Sequence, residues 1–66
     1  MKAKVNGELR EFPDGFTIAA LLDLLEAPPS GIAVARNDRV VRRSEYAAHA
    51  LADGDEIEII KAVAGG

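Results

Sequence analysis

Sixty-six residues with 48% apolar and 29% charged side chains make one small globular domain rather than a disordered chain. A net charge of -3, no Trp, and only Phe12, Phe16 and Tyr46 as aromatics argue against a nucleic-acid surface or a base-stacking platform. The lack of cysteine excludes a disulfide frame, a thiolate zinc site and a nucleophilic thiol. No apolar run follows Lys2 and Lys4, and none approaches the roughly 18 residues of a membrane span. The expectation is a cytoplasmic protein, monomeric when free.

Met1, Ala3 and Val5 alternate with Lys2, Lys4 and Asn6, the period of a half-buried strand. Asn6-Gly7 is a turn signal because both residues tolerate positive φ, and a second strand follows over 8–12. A strict two-residue turn pairs Val5 with Glu8 and sets Leu9 on the lysine face. The hydrophobic pattern opposes that, so it predicts a longer turn or a bulge.

Pro13-Asp14-Gly15 breaks the chain, and Thr17 stands where a helix N-cap belongs. Ile18, Leu21, Leu22 and Leu25 then recur on one helical stripe, with Leu24 off it. Pro28-Pro29-Ser30-Gly31 stops the helix. Ile32 to Arg36 reads as a third strand, Asn37-Asp38 as a turn, and Val40-Val41 as a short strand. Ser44 is placed to cap a helical turn through Tyr46, and Leu51 points back to the core before Asp53-Gly54. The last strand covers 56–62, Ile57 and Ile59 inward, Glu56 and Glu58 outward.

One helix across one mixed sheet is an α+β arrangement. The expected core is Val5, Ile18, Leu21, Leu22, Leu25, Val34, Leu51, Ile57 and Ile59. A final strand parallel to the first at the sheet centre sets Lys2 and Lys4 across from Glu56 and Glu58. Ile60 and Ala62 then fall on the face opposite Ile57 and Ile59, and that face, with Val63, is the expected surface for docking a partner.

Side-chain chemistry is sparse. His49 is the single histidine, Ser30 and Ser44 have no base nearby in the pattern, and no metal-ligand or phosphate-loop spacing occurs. The acidic residues read as solvated edges and turns. Arg36, Arg39, Arg42 and Arg43 read as a solvated hairpin rim or as a docking patch for an acidic surface. The end of the chain stands out instead. Ala62, Val63, Ala64, Gly65 and Gly66 carry almost no side-chain bulk, and four extended residues reach about 13 Å. Two terminal glycines admit the backbone to a slot too narrow for a Cβ and leave the carboxyl carbon open to attack. Taken alone, the same ending fits a frayed terminus or a cloning scar. The expected division is a domain over 1–62 and a flexible reactive tail over 63–66.

The hairpin with Asn6-Gly7, the helix TIAALLDLLE, the stretch AVARNDRVVRRSEYA and the ending DGDEIEIIKAVAGG together resemble the sulfur carrier proteins of thiamine biosynthesis. The resemblance runs the length of the chain, down to its end at Gly66. Arg42 and Tyr46 depart from it, where relatives often carry proline and tryptophan. The resemblance implies a ubiquitin-like β-grasp fold and a protein that is not itself an enzyme. It implies an E1-like adenylating partner that couples the Gly66 carboxylate to AMP, using its own ATP and magnesium. A sulfur donor protein then leaves a Gly66 thiocarboxylate, which passes sulfur to thiazole synthase. Sister carriers for molybdopterin or cysteine synthesis, and a β-grasp binding module with an inert tail, are the alternatives.

Overall fold

A computed structural model describes residues 1–28 and 30–61 of the chain. Strands β1 (Lys2–Val5) and β2 (Glu8–Glu11) form a hairpin, helix α1 (Ile18–Leu24) follows, and β3 (Ile32–Arg36) and β4 (Arg39–Val41) form a second hairpin. A 3₁₀ turn at Arg43–Glu45 leads toward the last strand, β5 (Glu56–Lys61). The sheet order is β2-β1-β5-β3-β4, with β5 parallel to β1 and antiparallel to β3. This mixed sheet with its single helix is the ubiquitin-like β-grasp arrangement.

Local chemistry sets the helix limits. The Thr17 hydroxyl accepts from the Ala20 N–H at 3.1 Å, satisfying one of the free donors of the first turn. At the other end Glu26 adopts a left-handed conformation (φ 54°), and the Ala27 N–H returns to the Leu22 carbonyl at 2.9 Å. The stripe predicted from spacing therefore ends early. Leu21 and Ile18 are fully buried and Leu22 packs partly against the core, but Leu25 sits at the helix C-cap and is 36% exposed. Its expected place in the core is corrected by this termination.

The buried cluster comprises Ala3, Val5, Phe12, Ile18, Leu21, Val34, Val41, Leu51 and Ile57, with Ile59 partly buried against it. Phe12 and Phe16 stack at 5.2 Å between ring centres, Phe12 within the core and Phe16 packed against it. The segment after β4 is tied beneath the helix start: Ile18 donates to the His49 carbonyl and Leu51 to the Phe16 carbonyl. Arg42 takes the N-cap position of the 3₁₀ turn without a side-chain bond, so Ser44 does not cap it.

The first hairpin corrects the expected bulge. Val5 pairs with Glu8 and Lys4 with Leu9, the register of a strict two-residue turn, with φ of 51° at Asn6 and 83° at Gly7. Both central residues are left-handed, as a type I′ turn requires, and its twist matches that of the strands. Turn geometry overrides the hydrophobic pattern here. Leu9 lies on the open face and is 59% exposed.

The predicted lysine–glutamate facing is half met. Lys4 stands beside Glu56 in the parallel register, whereas the Lys2 carbonyl accepts from Gly54 and its N–H donates to the Asp53 carboxylate. No helix of the described residues is long and apolar enough to cross a membrane.

Candidate functional site: the exit of the last strand

Strand β5 carries whatever follows residue 61, so its fixation decides where the chain beyond it starts. Its position in the centre of the sheet gives it neighbours on both sides. Toward β3 the pairing is continuous from Arg36–Ile57 to Ile32–Lys61, with no bulge. Toward β1 the ladder is shorter, Lys4–Glu56 and Val5–Ile57 only.

The entry to β5 is held by a buried carboxylate. Asp55 accepts from Arg36 Nε at 2.9 Å, from Asn37 Nδ2 at 3.1 Å and from the Ala52 N–H at 2.8 Å. Its main-chain carbonyl also accepts from the Lys4 N–H at 2.8 Å. A buried carboxylate must be paired and hydrogen-bonded in this way to be tolerated. The reading of all acidic residues as solvated is therefore wrong for Asp55. The arginine group also divides: Arg36 is committed to Asp55, while Arg39 and Arg42 lie exposed on the second hairpin and its exit. Among chemistry-bearing side chains, His49 Nε2 meets Glu45 Oε2 at 3.2 Å on the surface. The described residues hold no group of three or more His, Asp or Glu placed for a metal ion.

The two faces of β5 alternate as its sequence dictates. Ile57 is buried and Ile59 partly so, while Ile60 lies opposite them, 52% exposed and beside Ala33 of β3. Leu9 and Val40, the latter 78% exposed, share that open face but stand on the two outer strands. Four strand spacings separate those strands, about 19 Å. Lys4, Glu56 and Glu58 lie between them, so the open face holds separated apolar points and not one patch. Ile60 is the one nearest the chain exit. Leu9 and Val40 were not recognised from the sequence as members of this face; the Asn6-Gly7 turn type was the signal that fixes Leu9 there.

The remaining expected site residues, Ala62, Val63, Ala64, Gly65 and Gly66, lie outside the described residues. Lys61 is the last described position, so the chain has five more residues, which span up to about 17 Å when extended.

Residues 3–66 match the ThiS family. The chain is 33% identical to a sulfur carrier protein, ThiS, of Escherichia coli K12, over the full length of both. It is also 42% identical over 66 residues to a thiazole synthase of Paramagnetospirillum magneticum and 39% identical to one of Magnetococcus marinus. The chain spans about a fifth of the length of those two enzymes, 20% in each case. Among solved structures, a crystal structure of a thiamine biosynthesis protein (ThiS) from Geobacter metallireducens superposes with a TM-score of 0.83 at 26% identity, covering all of both chains.

Proposed function

We propose, from the premise that this chain belongs to the ThiS family, that it works as a sulfur carrier of thiamine biosynthesis whose Gly66 carboxylate becomes a thiocarboxylate. The observation that carries this reading is the match through residue 66, which takes in the whole Gly65-Gly66 ending, on a domain that presents β5 as the base of that segment.

The chemistry follows from the poor reactivity of a carboxylate toward nucleophiles. A Gly66 carboxylate oxygen attacks the α-phosphorus of ATP in the adenylating partner, pyrophosphate leaves, and an acyl adenylate forms. The terminal sulfur of a persulfide on a donor protein then attacks the acyl carbon, and AMP departs with the bonding pair. A thiol attacks the donor-side sulfur of the resulting acyl disulfide, forming a disulfide on the donor and releasing the Gly66 thiocarboxylate. A chain with no cysteine holds its sulfur at the terminal carbon instead. Gly65 and Gly66 pass through a channel that any Cβ would obstruct. ATP and magnesium are the partner's substrates and ligands, so this chain is a protein substrate rather than a catalyst.

Besides the sulfur donor, two partners follow. The E1-like enzyme takes the tail first, and thiazole synthase then accepts the sulfur. The 42% and 39% identity to segments of thiazole synthases supports the second, since there the same kind of domain shares a chain with that enzyme. Ile60 and Ala62 are the docking points nearest the tail. All of this belongs in the cytoplasm, where ATP is available and the sulfur donor stays reduced.

The test is a mass measurement. With adenylating enzyme, magnesium, ATP and a sulfur donor, the intact protein gains the mass of one oxygen-to-sulfur exchange, located at Gly66 by fragmentation. Deleting Gly66 abolishes the gain. No mass change under any of these conditions would refute the carrier reading. Transfer of the sulfur to thiazole synthase, read as thiazole product, tests the pathway separately.

A further inference from the structure

Two asparagines hold β5 at opposite corners, and each does so from the left-handed position of a hairpin turn. Asn37 (φ 52°) accepts from the Glu56 N–H at 2.9 Å on the β3 side. Asn6 (φ 51°) accepts from the Ile59 N–H at 2.8 Å on the β1 side. The second bond has a specific geometry. Along the parallel ladder Lys4 donates to the Asp55 carbonyl and Asn6 to the Ile57 carbonyl, so the next acceptor due is the Asn6 main-chain carbonyl, facing the Ile59 N–H. The left-handed turn at Asn6-Gly7 swings that carbonyl away. The carboxamide Oδ1 takes its place and extends the ladder by one bond past the end of β1. Among the described residues no hydrogen bond from β1 or its turn reaches β5 beyond Ile59.

We propose that Asn6 is a positioning residue for the reactive tail: its carboxamide fixes the direction in which the chain leaves the sheet. This inference rests on the sulfur-carrier reading. Ile60, the docking point, is the next residue along, and Gly66 lies seven residues past the clip. With Asn6 in place, the exit is held from both sides, by Asn6 and by the Ala33–Ile60 pair. Without it, the end of β5 is held from β3 alone. Any swing at Ile59 is then magnified over the seven residues that lead to the acyl carbon, a reach of up to about 23 Å if extended. A partner that grips Ile60 and the tail together must first remove that freedom, and the loss appears in binding.

Asn6→Gly separates the clip from the turn, because Gly-Gly also suits a type I′ hairpin. Asn6→Asp keeps an acceptor oxygen at the same reach. Asn37→Gly removes the corresponding bond to Glu56 at the far end of β5 together with the Asn37–Asp55 bond, and so controls for a general loosening at least as large. Amide exchange at Ile59, read by NMR, should quicken about fivefold or more in Asn6→Gly, the scale of one exposed hydrogen bond, and stay near wild type in Asn6→Asp. In the adenylation reaction, KM for the carrier should rise about three- to tenfold in Asn6→Gly with kcat within about twofold. Asn6→Asp should restore KM, and Asn37→Gly should leave it unchanged. Unchanged exchange at Ile59 would overturn the clip, and so would an equal KM rise in Asn37→Gly overturn the positioning role. A wild-type protein that is never adenylated strikes the carrier reading itself and the docking role with it, while Ile59 exchange still decides whether Asn6 holds the strand.

Discussion

The two faces of the sheet use similar residues for opposite ends. Beneath the helix, Val5, Val34, Val41 and Ile57 are buried in one cluster with Ile18 and Leu21. On the open face Leu9, Val40 and Ile60 are just as apolar and stand well exposed. Burial of an aliphatic side chain contributes roughly 1.5–3 kcal/mol relative to exposure. The inner face therefore holds the fold, and the outer residues contribute little to it. What distinguishes them is which side of the pleat the register assigns, and a shift of one residue would exchange the two sets.

The contrast is tested first on the inner face, where effects are largest. Leu21→Ala should lower stability by about 2–5 kcal/mol, since Leu21 is fully buried at the centre of the helix stripe. A thermal melt reads this at roughly 4–8 °C per kcal/mol in a domain this small. Asp55→Ala should come next, at about 2–4 kcal/mol, because it strands the Arg36, Asn37 and Ala52 donors at once. A melt near wild type for either variant contradicts the burial described.

On the outer face the order of effects inverts between stability and binding. Ile60→Asp should melt within about 1 kcal/mol of wild type, yet weaken the complex with the adenylating enzyme or thiazole synthase more than about tenfold by calorimetry. Leu9→Lys is the smallest expected change, with stability within about 0.5 kcal/mol and both affinities unaltered, because Leu9 lies on the outermost strand, two strands from β5. Weakened binding in Leu9→Lys would extend the docking surface across the whole face. Unchanged binding in Ile60→Asp would move it elsewhere.

Much of this arrangement is readable from the chain itself. Alternation around Val5 and Ile57, the Thr17 cap and the Asn-Gly turn place the strands, the helix and the inner face, and the tail residues stand out by their lack of bulk. Three features escape for physical reasons. Leu25 fits the helical period, but a period says nothing about where a left-handed Glu26 stops the helix. Leu9 is ruled by the handedness of a turn, which outweighs one exposed leucine. Asp55 looks like any turn aspartate, because its partners Arg36 and Asn37 lie 18 or more residues away and meet it only when β3 and β5 pair.

The strand order also has a kinetic meaning. β1 with β2, and β3 with β4, are local hairpins that close within a few residues, but neither touches the other in the sheet. They become one sheet only through β5, which arrives last in the chain and pairs with a strand formed some fifty residues earlier, at Lys4–Glu56. Such distant pairing must meet its loop-closure entropy before contacts reward it, which slows folding relative to a helical bundle of equal size. Joining the two hairpins therefore depends on seating β5 between β1 and β3, the pairing with the longest loop to close. Until that step, both hairpins expose the edges that β5 will cover, and the chain is at its most vulnerable to pairing with another copy of itself.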